Sequence, residues 1–334
     1  MGTNHEPRNV DELWFSDGNI IIQAENLRFR VFKGILAARS PVFSDMMSLP
    51  APAEPDAQDS EDGCPLVRMH DSGDEATRFL KAIFDSDFFP PFPLKCDGDT
   101  VFACLRLANK YQVDYLRHRA LAHLSSAFPM SLDVLDMRYE HDSLAITEAC
   151  SWAMELGLSE VLRVIAIARE VEAPWVLPLA FYYLSWLLSH PAQLFQTLSI
   201  PNEPGNSALS AADREVFLQG YDHQSHVEAR LLPPTLEGKF KDCHSPHDCL
   251  AARLDCLDLY QHLMYDREET PPPLHIMRMA DEPKFKQLCD VCYADLESEY
   301  LRRRNRVWQA LPGWYSLPDW DVLERMKKEA IPDA

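Results

Sequence analysis

The chain has 334 residues, is 46% hydrophobic and carries a formal net charge of -20. It is long enough for two ordinary domains or one large one, and too apolar for a disordered chain. Its acidic balance argues against non-specific binding to nucleic acid or to an anionic membrane, because both surfaces repel it.

The first residues, MGTNHEPRNVDELW, contain no apolar core of a signal peptide. The chain is therefore expected inside the cell, in cytoplasm or nucleus and not secreted, with its nine cysteines reduced. LWFSDGNIIIQA places a turn, Asp17-Gly18-Asn19, before the β-branched run Ile20, Ile21 and Ile22, which favours a strand. NLRFRVF alternates, with Leu27, Phe29 and Val31 on one face and Arg28 and Arg30 on the other, so a β-hairpin turning near Asn26 is expected. Ile35, Leu36 and Ala38 suit a short helix. Ser40 then caps a second helix with Pro41 at its first position, and Val42, Phe43, Met46 and Met47 form its apolar stripe.

LPAPAEPDAQDSEDGCP combines prolines with acids and no base, and is expected to be a solvated, mobile loop. PLVRMHD reads as a third strand, and SGDEATRFLKAIF as a helix with Asp74 and Glu75 in its first turn. Thr100 is the expected cap of VFACLRLANKYQV, and DYLRHRALAHLSSAF is a further amphipathic helix closed by Pro129. SLAITEACSWAMELG and LSEVLRVIAIAREV both read as helices, separated by Gly157. APWVLPLAFYYLSWLLSHP falls short of the roughly 18–20 uninterrupted apolar residues of a membrane span. Pro174, Pro178 and His190 interrupt it, so it reads as a buried core helix. From about residue 207 the pattern predicts short apolar helices alternating with Pro-rich loops.

The order strand, strand, helix, helix, strand, helix, helix, helix over 14–128 resembles the BTB/POZ domain. The residues that carry the resemblance are Asp17, Phe29, Lys33, Leu36, Ala38, Ser40, Phe43, Met46 and Met47, and later Ala108, Lys110, Tyr111, Val113 and Leu116. Many members place a His before the basic residue; here it is Phe32. The whole chain is also similar to a large group of fungal, mushroom-type BTB proteins. FSDGNIIIQAENLRFRVFKGILAARSPVF, CPLVRMHDS, HLSSAFP, LPLAFYYLS and VWQALPGWYSLPDWDVL carry that likeness.

The resemblance implies an α+β BTB/POZ domain, a small sheet with a helical cluster, at 14–128. It implies a helical extension of the BACK type at 131–200 and a helical C-terminal region at 207–334. It also implies that Asp17 and Lys33 meet in a charged pocket near a dimer groove, with a purely structural pair as the alternative. Removing one member of a partly buried pair costs about 3–5 kcal/mol. The implied function is protein–protein interaction, with Ile35, Leu36, Val42, Phe43, Met46 and Met47 supplying interaction surface or core. An oligomerising scaffold or adaptor, as a homodimer, is the leading expectation. A substrate adaptor for a cullin-type ubiquitin ligase and a transcriptional regulator are the alternatives. The acidic balance and the lack of C2H2 fingers speak against the last.

Three further groups stand out. Cys243 and Cys249 in CHSPHDC, with Cys289 and Cys292 in LCDVC, either hold one structural Zn²⁺ or remain reduced, uncoordinated thiols. His244 or His247 is an alternative ligand, and Cys256 suits packing beside Cys249. Arg302, Arg303, Arg304 and Arg306 are expected on a solvated helix face, beside a stripe of Leu301, Val307 and Leu311. Trp308, Trp314, Tyr315 and Trp320 are expected to pack onto the helical region. The chain contains no G-x-S-x-G elbow, Walker loop, dinucleotide fingerprint or H-E-x-x-H helix, so no enzyme is expected.

Overall fold

The isoleucine run becomes β2 (Ile20–Ala24), and the alternating segment becomes β3 (Leu27–Val31). They pair antiparallel, Ile20 against Val31 through Ala24 against Leu27. Glu25 and Asn26 form the turn between them. The computed structural model describes residues 6–48, 60–61, 63–139, 152–153, 157–188, 190–201, 208–228, 242–265, 274 and 287–332. The chain divides into two units. One is Met1–Ala127 with Thr147–Met154 and Ala330–Ala334; the other is Phe128–Ile146 with Glu155–Glu329.

In the first unit the sheet runs β1-β3-β2-β5-β4, with β1 (Arg8–Trp14), β4 (Ser60–Glu61) and β5 (Cys64–Met69). Ile20, Ile21 and Ile22 are all buried, because central β2 is covered on both faces. That is why β2 reads as a continuous apolar run while β3 alternates. β5 lies parallel to β2, Ile21 against Leu66, so the chain must cross over between them. The crossover carries α1 (Lys33–Arg39) and α2 (Pro41–Ser48). The acidic loop expected before β5 lies outside the described residues over 50–59. Its end is not loop: Ser60 and Glu61 pair with Pro65 and Cys64 across Gly63, whose φ of 74° favours glycine.

α3 (Gly73–Phe84), α4 (Gly98–Lys110) and α5 (Asp114–Ser126) complete this unit. Asp97, not Thr100, caps α4. Its Oδ2 accepts from the Thr100 N–H and hydroxyl, both at 2.9 Å. Burial works to raise the Asp97 pKa, but the Thr100 hydrogen bonds and the Arg78 charge outweigh it and hold the carboxyl below its ordinary value. Asp97 also belongs to β6 (Cys96–Asp97), which pairs parallel with β7 (Trp152–Ala153). The expected helix across SLAITEACSWAMELG is therefore corrected at Trp152 and Ala153. The rest of that segment before Gly157 lies outside the described residues.

One buried contact joins the two crossover helices to α4. The Ser40 hydroxyl accepts from the Phe43 N–H at 3.0 Å, as an N-cap of α2 should, and donates to the Tyr111 carbonyl at 2.6 Å. The Tyr111 ring stacks on Phe43, with centroids 4.8 Å apart, and its hydroxyl donates to Asp71 at 2.6 Å. Lys110 completes the pairing of Asp71 at 2.6 Å.

The second unit contains α6 (Leu132–Tyr139), α7 (Leu158–Glu170), a 3₁₀ turn (Pro174–Val176), α8 (Leu177–Leu187), α9 (Pro191–Ser199), α10 (Ala211–Glu228), α11 (Pro246–Tyr265), α12 (Asp290–Trp314) and α13 (Trp320–Ala330). The short helices expected beyond 207 are instead long: α12 alone has 25 residues. α8 is the core helix that the sequence predicts, with Leu177 through Ser185 buried. No helix among the described residues is long and apolar enough to cross a membrane.

The aromatic tail is packed. Trp308 and Trp320 stack at 4.5 Å, and the Trp320 indole N–H donates to the Trp308 carbonyl at 2.7 Å. Tyr315 is fully buried; its hydroxyl lies 2.8 Å from the Ser185 hydroxyl and 3.0 Å from Gln224 Oε1. The solvated-face expectation for the arginine run fails at Arg304, which is 2% exposed. Its guanidinium pairs with Asp136 of α6, with Nη1 at 2.8 Å, and donates to the Leu274 carbonyl. Arg302 and Arg303 turn to Glu299, and Leu301 is exposed while Val307 and Leu311 are buried.

Two stability predictions follow from these contacts. Tyr111→Phe removes a donor from the nearly buried Asp71 and should lower unfolding free energy by about 1–2 kcal/mol in urea titration. Gly220→Ala should cost about 1–3 kcal/mol and lower Tm in a thermal scan, because its Cβ would stand 2.0 Å from the Tyr315 ring.

Candidate interaction surface and cysteine cluster

The α1–α2 pair sorts its apolar residues into two sets. Leu36 and Phe43 are fully buried and belong to the core. Ile35 is 41% exposed, and Val42, Met46 and Met47 are half-buried. The stripe is therefore only partly consumed by the chain's own core. It leaves an apolar surface on the crossover helices.

Asp17 and Lys33 are not brought together. Both are exposed, and no ion pair joins them among the described residues. The polar contact at this place comes from Asn19, whose Oδ1 accepts the Lys33 backbone N–H at 2.9 Å. That satisfies one of the orphan donors at the start of α1, where Phe32 offers no side-chain cap. Phe32 instead packs on Phe15, with centroids 5.2 Å apart, and Phe15 packs on Phe84. Gly18 matters through close approach: a Cβ there would lie 3.0 Å from the Arg30 carbonyl carbon and oxygen. Asn19 carries the polar contact at this place, whereas its position in the sequence marks it only as part of the turn before β2.

In the second unit, Cys243, Cys249, Cys289 and Cys292 converge, with all four Sγ atoms within 4.8 Å of one another. Cys243 and Cys289 are 3.8 Å apart through sulfur, although 46 positions apart in sequence. Two similar local structures build the cluster. Cys243 precedes α11 and Cys249 sits in its first turn, while Cys289 precedes α12 and Cys292 sits in its first turn. The Cys289 N–H donates to Cys249 Sγ at 3.2 Å. The backbone N–H groups of Cys292 and His244 hydrogen-bond to the Cys289 sulfur and pull its thiol down to about 6. Burial pushes the Cys249 thiol up, and raises Cys292 to about 12. His244 and His247 are exposed and stand outside the cluster. The Cys256 side chain lies outside the described residues.

Residues 14–127 match the family model of the BTB/POZ domain. The chain thus carries a BTB domain at its N-terminal end, a small sheet with helices, followed by a largely helical C-terminal region. A BTB/POZ domain is a protein–protein interaction module and is not typically catalytic. Comparison with curated proteins and with solved structures finds no match.

The division within the α1–α2 stripe is measurable. Phe43→Ala should destabilise the domain by about 3–5 kcal/mol, whereas Ile35→Ala should stay within about 0.5 kcal/mol by chemical denaturation.

Proposed function

We propose that this chain is an intracellular interaction protein, an oligomerising scaffold or adaptor that acts through its BTB domain and makes or breaks no bond. The observation that carries the reading is the unspent apolar surface of α1 and α2. Ile35 is exposed, and Val42, Met46 and Met47 remain half-buried beside it. Such a patch gains about 25 cal/mol for each Å² taken from water, which supplies association energy without any chemistry. A second copy of the same domain is the proposed occupant. The two faces are then identical, as a two-fold contact requires.

Residues outside the patch fit this role. The core members Leu36 and Phe43 hold the helices in place. Ser40 and Tyr111 fix the angle at which they present the stripe. The alternative role as a substrate adaptor for a cullin-type ligase uses the same domain, and co-purification of a cullin from cells separates it from a scaffold.

Light scattering across a dilution series tests the dimer. The full chain should remain dimeric at concentrations on the order of 10 µM, and Ile35→Asp should shift it to monomer with an unchanged circular dichroism spectrum. A wild-type chain that is strictly monomeric there sinks the homodimer.

A further inference from the structure

We propose that Cys243, Cys249, Cys289 and Cys292 form a structural zinc centre that clamps the starts of α11 and α12. The donor set is four sulfurs with no oxygen or nitrogen among them, which selects zinc over calcium or magnesium. The spacing fits. Tetrahedral zinc with bonds of about 2.3 Å needs sulfurs about 3.8 Å apart. The observed Cys243–Cys289 separation is 3.8 Å, and the full set lies within 4.8 Å. The sulfurs are free thiols, not disulfides, so each is available as a ligand.

The surroundings also fit a metal-bound thiolate cluster. α11 and α12 begin at the site, and the positive ends of their backbone dipoles favour anionic sulfur. The Cys289 N–H donates to Cys249 Sγ, the outer-shell contact that orients a ligand sulfur. Beneath the thiols lies a small apolar cluster of Ala252, Leu288, Leu296 and Tyr300, which keeps water from the inner side.

Four protein ligands leave no open coordination position, so the role is structural. The clamp closes a chain segment of 40 positions between Cys249 and Cys289. The apolar cluster beside it is small, and a metal crosslink stabilises such a junction by restricting the unfolded chain.

Metal content of the full chain, purified with reductant and without chelator, tests the centre. One zinc per chain is expected, with the four cluster thiols shielded from a thiol reagent until a strong chelator removes the metal. Cys292→Ser should lose the zinc, whereas Cys289→His should retain it, because imidazole is also a zinc ligand. Cys104→Ser, at a buried cysteine remote from the cluster in sequence, should leave zinc content unchanged. If Cys292→Ser fails to fold, cobalt(II) added to metal-stripped wild-type chain gives the same answer. Thiolate charge-transfer absorption with tetrahedral visible bands supports the centre, and a pale octahedral spectrum rejects it. Substoichiometric zinc with four freely titrating thiols, intramolecular disulfides in reductant-treated protein, or one equivalent of iron in place of zinc would each overturn the proposal.

Discussion

The Ser40 hydroxyl satisfies two backbone groups at once: the Phe43 N–H at the start of α2 and the Tyr111 carbonyl at the end of α4, 71 positions away. Both groups are buried, and a buried backbone group without a partner costs about as much as a lost hydrogen bond. The position therefore needs a small side chain that donates and accepts. Tyr111 extends the same constraint through its ring on Phe43 and its hydroxyl on Asp71. The orientation of α1 and α2, and so the surface they present, depends on this contact.

The second unit rests on polar contacts of a different kind. Arg304 is buried beside Asp136 and the Leu274 carbonyl, in a helix whose neighbouring Arg302 and Arg303 turn to Glu299. Loss of one partner would strand a buried charge, which makes the contact specific about geometry even where its net stabilisation is modest. Tyr315 fills the space that Gly220 leaves open and hydrogen-bonds to Ser185 and Gln224. Trp308, Tyr315 and Trp320 are core, while Trp314 is half-buried and stacks on His223.

Several features were legible in the sequence because they are local. Strand periodicity, the Ser-Pro helix start and the apolar helix α8 each depend on neighbours within a few residues. One failure was local: Thr100 looked like a cap, but Asp97 takes that role because its carboxylate, three residues earlier, accepts the Thr100 N–H and hydroxyl. Others occurred where a partner farther along the chain decides. Trp152 and Ala153 fit a helical pattern, yet pairing with Cys96 and Asp97 makes them a strand. Asp17 and Lys33 carried the expected charges, but Asn19 holds the contact to the Lys33 backbone.

The sequence by itself determined the core helix α8, through its apolar composition, and, through a family resemblance carried by many positions, the class of the N-terminal fold. It offered the four cysteines as one possible ligand set beside His244 and His247. Tertiary structure decided which apolar residues of α1 and α2 are core and which are surface, and that two pairs of cysteines meet. Burial and convergence depend on groups brought together from dozens of positions apart, and only the folded chain sets those distances.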